Sequence, residues 1–243
     1  VRYLGGTLET YGNVNTANSL LAIRQLVFEN KEISLQELKS SMLVNFEGYE
    51  KLRLKLMNTP KYGNNDQDAD EMMMAVHEHV CLTTKVQAEK HGLHHFLVVV
   101  INNDANTDLG KNTGASADGR LAGEGLNNGN SPVVGTDRKG ITALLHSLIK
   151  PRTDIHAGAV QNLKIAPEWL SEHREKFEAL LATYFDMGGA QLMITVVQQK
   201  MLEDALEHPE KYPNLLVRVG GFSARFVELR PEVQREIINR TAY

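Results

Sequence analysis

Two adjacent glycines near the end of the chain, Gly220 and Gly221, stand where an apolar, β-branched run stops. Leu215, Leu216, Val217 and Val219 lead into them, and Phe222-Ser223-Ala224-Arg225-Phe226 leads out towards a polar helix opened by Pro231. The pattern predicts a strand, a tight buried loop tip and then a helix. Glycine at such a tip supplies positive φ for a turn. Taken as a bare Gly-Gly pair, the two residues read as supplying that turn and nothing more. Arg218 and Arg225, flanking the tip, read as solvated or ion-paired surface charges.

The other candidates are weaker. Cys81 is the single cysteine, in the context His79-Val80-Cys81-Leu82 inside a predicted helix. It reads as a buried structural thiol, because free cysteine is among the most buried residue types. Five of the nine histidines, His77, His79, His91, His94 and His95, lie close to it. His77 and Cys81 are four apart and share a helix face, as a metal site needs. No second cysteine or acid completes a ligand set, and Cys81 occupies the second histidine position of an H-E-x-x-H pattern. Helix-surface histidines beside a strand are the expectation, with no metal. The glycine-rich stretch 110 to 129 contains neither phosphate-cradling pattern. Within it Asp118 and Glu124 are candidates for a general acid/base pair, though loop carboxylates are mostly solvated or capping. Glu9, Asn13 and Asn15 in the opening segment carry the same caution.

Composition sets outer bounds. The chain has 243 residues, 42% hydrophobic and 23% charged, enough for one large domain or two small ones. A formal net charge of −4 and the lack of a basic stripe argue against a nucleic-acid surface. The longest apolar run, residues 96 to 101, is too short to cross a bilayer. The start, VRYLGGTLETYG, has no charged n-region followed by an apolar one. A lone cysteine fits a reducing cytoplasm. The chain opens at Val1 within what reads as a motif, so it is expected to be the later part of a longer protein.

The elements that must position these residues alternate. Residues 1 to 16 read as a loop, followed by a helix from about Asn15 to Glu29 with Ala17, Leu20, Leu21 and Val27 on one face. Ser34-Leu35-Gln36-Glu37 is a capping-box start for a second helix, and a third spans Tyr49 to Met57. A turn-rich connector at 60 to 68 precedes a long helix from Asp68 to Lys90. The strand HFLVVVIN is apolar enough to be buried on both faces. A long polar loop, 103 to 139, a helix at 140 to 150 and a strand at Ala159 to Ile165 follow. An amphipathic helix from Pro167 to Asp186, broken by Gly188-Gly189, leads to the strand AQLMITVV and a helix from Gln198 to His208. Such alternation implies a mainly parallel sheet with helical cover.

The run R-V-G-G-F-S-A-R-F, with P-E-V-Q-R-E-I-I-N-R-T after it, resembles the C-terminal signature of the glycyl radical enzymes. These include pyruvate formate-lyase and the glycerol, propanediol and hydroxyproline dehydratases. P-K-Y-G-N-N-D, G-K-N-T-G-A-S-A-D-G-R-L-A-G-E-G-L and H-P-E-K-Y-P also resemble family segments, so the likeness covers essentially the whole chain. Ala117 and Gly125 depart from it, standing where the family usually has proline, and Phe222 stands where it usually has tyrosine. The resemblance implies the C-terminal half of a ten-stranded α/β barrel, with the radical loop inserted toward the barrel centre. Residues 1 to 120 would belong to the barrel domain and 121 to 243 to the glycyl radical domain. It makes Gly221 the radical-bearing residue, activated by a separate radical-SAM enzyme, with no cofactor bound by this chain. Such a radical is shared with the flanking amide nitrogen and carbonyl only where the α-carbon is flat, which a side chain would hinder, and it must be shielded from water and oxygen in a buried, hydrogen-bonded loop. In the family that radical takes hydrogen from a cysteine in a Gly-Cys-x-Glu-like loop, which Cys81 does not match. The fragment alone would therefore be inactive and would need the missing N-terminal part, on the same chain or on a partner. The complete protein is expected to be a homodimer acting on a small polar molecule, by radical elimination, dehydration or C–C cleavage. F-S-A-R-F favours the dehydratase and eliminase branch, with formate C-acetyltransferase activity or a non-enzymatic radical-bearing subunit as alternatives. Open strand edges and exposed apolar faces predict that the chain alone is poorly soluble or associates.

Overall fold

The computed structural model describes residues 4–243. The first strand, β1 (Gly5–Glu9), lies where a loop was expected. Its pattern is too short to announce a strand, and its partner supplies the order: it pairs in parallel with β2 (His95–Val100), Gly5 opposite His95 and Glu9 opposite Val99. The approach is close enough that a Cβ on Gly5 would meet the His95 carbonyl at 2.5 Å. β2 is also not buried on both faces. Val98 and Val100 are buried while His95 is exposed and the alternate residues are partly so, because one face lacks a covering element among the described residues.

Between them run four helices. α1 (Asn13–Ile23) continues as a π-helical turn, Arg24–Glu29, closed by Asn30 N–H donating to the Gln25 carbonyl at 2.8 Å. α2 (Leu35–Leu43) is capped as expected, Glu37 N–H donating to Ser34 Oγ at 3.0 Å. α3 (Glu50–Asn58) leads to α4 (Gln67–Lys90), whose N-terminus is held by Asp66. Ala22, Leu26, Leu38, Leu52 and Leu56 close a core between α1, α2 and α3. At about 1.5–3 kcal/mol per fully buried aliphatic side chain, this cluster fixes the packing of the first helices.

The stretch 103–139 is not wholly loop: α5 (Ala105–Lys111) forms within it. Its cue is weak, since Asn106, Thr107 and Gly110 are poor helix formers held by tertiary packing. After α6 (Ile141–Leu148) the single strand expected at 159–165 divides in two. β3 (Gly158–Ala159) pairs with the end of β2, whereas β4 (Asn162–Ile165) pairs in parallel with β5 (Met193–Val196). The expected long helix after Pro167 is likewise split, into α7 (Glu168–Ser171) and α8 (Arg174–Asp186), the chain pausing at His173 with φ −116°. Val14, Met73, Leu144, Leu148, Leu163, Ile165, Phe177 and Tyr184 form the core beneath these elements.

α9 (Gln199–Glu207) leads to the signature region. There the strand does not run straight into a helix: β6 (Leu216–Arg218) and β7 (Ser223–Arg225) form an antiparallel hairpin around Gly220-Gly221. A 3₁₀ turn, Phe226–Glu228, then precedes α10 (Pro231–Asn239), which has proline in its first turn. Val217, Val219, Phe226, Val233 and Ile237 bury the hairpin's inner face against α9 and α10. The chain end returns to the sheet, with Tyr243 N–H donating to the Lys164 carbonyl at 3.1 Å and Ala166 N–H to that of Tyr243 at 2.7 Å.

Candidate functional site

Gly221 occupies the hairpin tip with φ +109°, a conformation that favours glycine. Its N–H donates to Met193 Sδ at 3.1 Å, and the space beside its α-carbon is bounded by Asn103 Oδ1 and Ile101 Cγ2. Gly220 is packed far harder, since a Cβ there would lie 2.3 Å from the Asn103 carbonyl oxygen. The tip therefore sits just past the C-terminal end of β2 and against β5. The expected burial is only half met: Gly220 is buried, but Gly221 and Phe222 are exposed. The hairpin's inner residues are covered by α9 and α10, while nothing among the described residues lies over its tip.

A floor of buried amides supports this place. Asn128 Nδ2 donates to the Asn103 carbonyl at 3.3 Å, and Asn162 Nδ2 to Asn128 Oδ1 at 3.3 Å. Asn102 Oδ1 accepts from Gly129 N–H, and Asn102 Nδ2 donates to the Thr10 carbonyl. Glycine at 129 is required, because a Cβ would sit 2.4 Å from the Val160 carbonyl. Met193, Asn103 and this amide floor were not among the residues singled out from the sequence. An asparagine-rich loop is the only cue for the floor, and Met193 has none.

Asp118 and Glu124 do not form an acid/base pair. Asp118 is buried, not solvated, accepting from Asn15 Nδ2 at 2.7 Å and Ser116 Oγ at 2.6 Å. Asn15 thus serves the loop, and its Oδ1 also accepts from Asn127 N–H at 2.8 Å. Glu124 is exposed and caps its own turn through Leu121 N–H. The organiser of that turn is Arg120, buried and donating to the carbonyls of Gly114, Leu121 and Glu124. Asn13 donates to Thr10 Oγ1 at 2.9 Å. Glu9 is exposed and accepts from the Tyr11 hydroxyl, whose pKa is pushed up to about 12, chiefly by that bond. Arg218 and Arg225 bond Ser223 and Glu228, as flanking surface charges should.

Cys81 is 3% exposed, and burial pushes its thiol up to about 11, so it is protonated and unreactive at neutral pH. His77 is buried rather than on the helix surface. Its Nε2 lies 2.9 Å from the Arg152 carbonyl and 3.8 Å from Cys81 Sγ, and its ring packs edge-on against His156. Desolvation lowers both histidines below the usual range. His79, His91, His94 and His95 are exposed. No group of three or more His, Cys, Asp or Glu side chains among the described residues is placed to hold a metal ion. No described helix is long and apolar enough to cross a membrane. A cavity of 780 Å³ opens between α3, α10 and the 118–139 loops, reached by Lys61, Arg138 and Arg235, but Gly221 does not line it.

Parallel βα units presenting a glycine hairpin past their strand ends define part of an α/β barrel built around a loop tip. Family models described as pyruvate formate lyase-like and glycine radical match residues 1–103 and 126–227. The probable dehydratase YbiW of Escherichia coli K12 is 34% identical over 96% of this chain and 30% of its own length. The trans-4-hydroxy-L-proline dehydratase of Clostridioides difficile is 32% identical over 99% of this chain and 31% of its length. The glycerol-bound, B12-independent glycerol dehydratase from Clostridium butyricum superposes with a TM-score of 0.94 at 31% identity, over the whole chain and 31% of that structure. The chain belongs to the glycyl radical enzymes and matches their C-terminal portion. It spans about three-tenths of the length of the relatives it matches.

Proposed function

We propose that this chain is the radical-bearing part of a glycyl radical lyase of the dehydratase and eliminase branch. Gly221 stores the unpaired electron on its α-carbon. A cysteine outside this chain gives its thiol hydrogen atom to that carbon, and the thiyl radical takes a hydrogen from a carbon of a small hydroxylated substrate. The substrate radical then expels its leaving group, as water in a dehydration, and the product radical recovers the hydrogen from the thiol. No net oxidation occurs, so the chain needs no redox cofactor of its own. The relatives that are dehydratases and lyases support the branch. The observation that carries the assignment to Gly221 is its place at a hairpin tip with φ +109° and space around its α-carbon.

The radical is installed by a separate radical-SAM activating enzyme in an anaerobic cytoplasm, and the complete protein is a homodimer. Residues 1–120 and 121–243 form its barrel and radical-bearing units. Anaerobic co-expression of the complete protein with an activating enzyme, followed by electron paramagnetic resonance, tests the reading. The expected result is a doublet from the remaining Gly221 α-hydrogen, and cleavage of the chain at Gly221 once air is admitted. A silent spectrum from competently activated protein would refute it.

A further inference from the structure

The hairpin that carries Gly221 makes only one of the two bonds that usually close such a turn. Favoured two-residue hairpin turns place positive φ at the first central residue, because that twist matches the flanking strands. Here the second central residue, Gly221, has positive φ and the first, Gly220, does not. The usual closing bond runs from the amide after the loop to the carbonyl before it. Val219 N–H does donate to the Phe222 carbonyl at 3.0 Å. The Val219 carbonyl, however, takes its hydrogen from Arg240 Nη2 at 2.8 Å rather than from Phe222.

Arg240 Nη1 donates at the same distance to the Arg218 carbonyl. The guanidinium is aimed by Glu236, one turn earlier on α10, with Nε to Oε1 at 3.0 Å and Nη2 to Oε2 at 2.7 Å. Both side chains are only 10% exposed. A planar fork is needed to bridge two successive carbonyls and a carboxylate together, and a lysine ammonium cannot reproduce it.

We infer that Arg240 is a positioning residue for Gly221, holding the β6 end of the hairpin from outside so that the turn stays open at its tip. This rests on the reading that Gly221 stores a radical. Flattening the Gly221 α-carbon rotates its flanking peptide planes, and a closing bond from Phe222 N–H to the Val219 carbonyl would have to break as they turn. With that carbonyl anchored to α10 instead, the tip can flatten while its approach remains fixed.

The test compares Arg240→Lys and Glu236→Gln in the complete protein. Amide hydrogen exchange at 216–225 should rise about tenfold in Arg240→Lys, the size expected for losing a charge-assisted bond. Exchange at β4 and β5 should not change. After activation the radical yield should fall and the α-hydrogen splitting should shift. Unchanged hairpin exchange, or an unchanged splitting and yield, would overturn the inference. Should Arg240→Lys fail to fold, Glu236→Gln leaves the guanidinium in place but unaimed and must give the same changes at smaller size. A wild-type protein that stays silent after activation counts against radical storage, while the exchange measurement still decides the role of Arg240.

Discussion

Gly220 and Gly221 are neighbours with different reasons for being glycine. Gly220 lacks room: the Asn103 backbone carbonyl would stand 2.3 Å from any added Cβ, and backbone cannot swing aside as a side chain can. Gly221 has room, with its nearest neighbours at 3.4 and 3.5 Å, but its φ of +109° strains any residue that carries a Cβ. Gly220→Ala should therefore cost about 3 kcal/mol, as overpacking of a filled site does. Gly221→Ala should cost about 1–2 kcal/mol, the usual penalty for a side chain forced to positive φ. Chemical denaturation of the two variants checks the order. Gly221→Ala should fold and yet give no resonance signal, which separates its chemical role from its conformational one.

At the scale of elements, the hairpin depends on α10, and α10 depends on a buried lysine. Lys164 on β4 is 1% exposed and donates to Gln199 Oε1 at 2.8 Å and to the Ile237 and Ile238 carbonyls at 3.2 and 2.7 Å. It thus caps the C-terminal carbonyls of α10, immediately before Arg240. Burial, with the neighbouring Arg240 charge adding to it, pushes its pKa down from the ordinary 10.5 to about 8. The unfolded chain holds that proton up to pH 10.5 and the folded protein only up to about 8. Between those values the unfolded state binds more protons, so this group makes stability rise with pH. Below pH 8 both states are protonated and the contribution is flat. Thermal unfolding of wild type and Lys164→Met from pH 7 to 10.5 should show the wild type gaining on the variant above pH 8. Lys61, also pushed down to about 8 by burial, acts in the same sense in both proteins and cancels from the comparison.

At the scale of the whole molecule, the sheets are unfinished. β1, β2 and β3 form one short parallel sheet and β4 and β5 another, with the chain end at Ala242 bridging the outer side of β4. Leu4, Leu8, Val196, Leu216 and Phe222 are exposed on or beside those strands and the hairpin tip. Such edges and apolar side chains bind other chains. This chain expressed alone should associate or precipitate, and light scattering coupled to gel filtration checks it. A monodisperse, cooperatively unfolding monomer would show that the edges are tolerated.

What could be read from residue order was local or chemical. Ser34 and Glu37 announced the cap of α2, Pro231 the start of α10, and Gly92 lies just past the end of α4, because caps and breakers act within a few residues. Gly221 drew attention in the sequence because the radical chemistry proposed for it admits one residue type. The split between β3 and β4 was not legible, since the stretch from Ala159 to Ile165 contains no glycine or proline to interrupt it and only its two different partners, β2 and β5, divide it. Nor was β1, which is a strand because β2 is beside it. Met193 and Arg240 lie 28 and 19 positions from Gly221, and ordinary spacing marks neither. Their contacts arise from the packing of β5 and α10 around the hairpin. Hydrogen bonds across such separations are decided by how the elements come together, which only the folded chain determines.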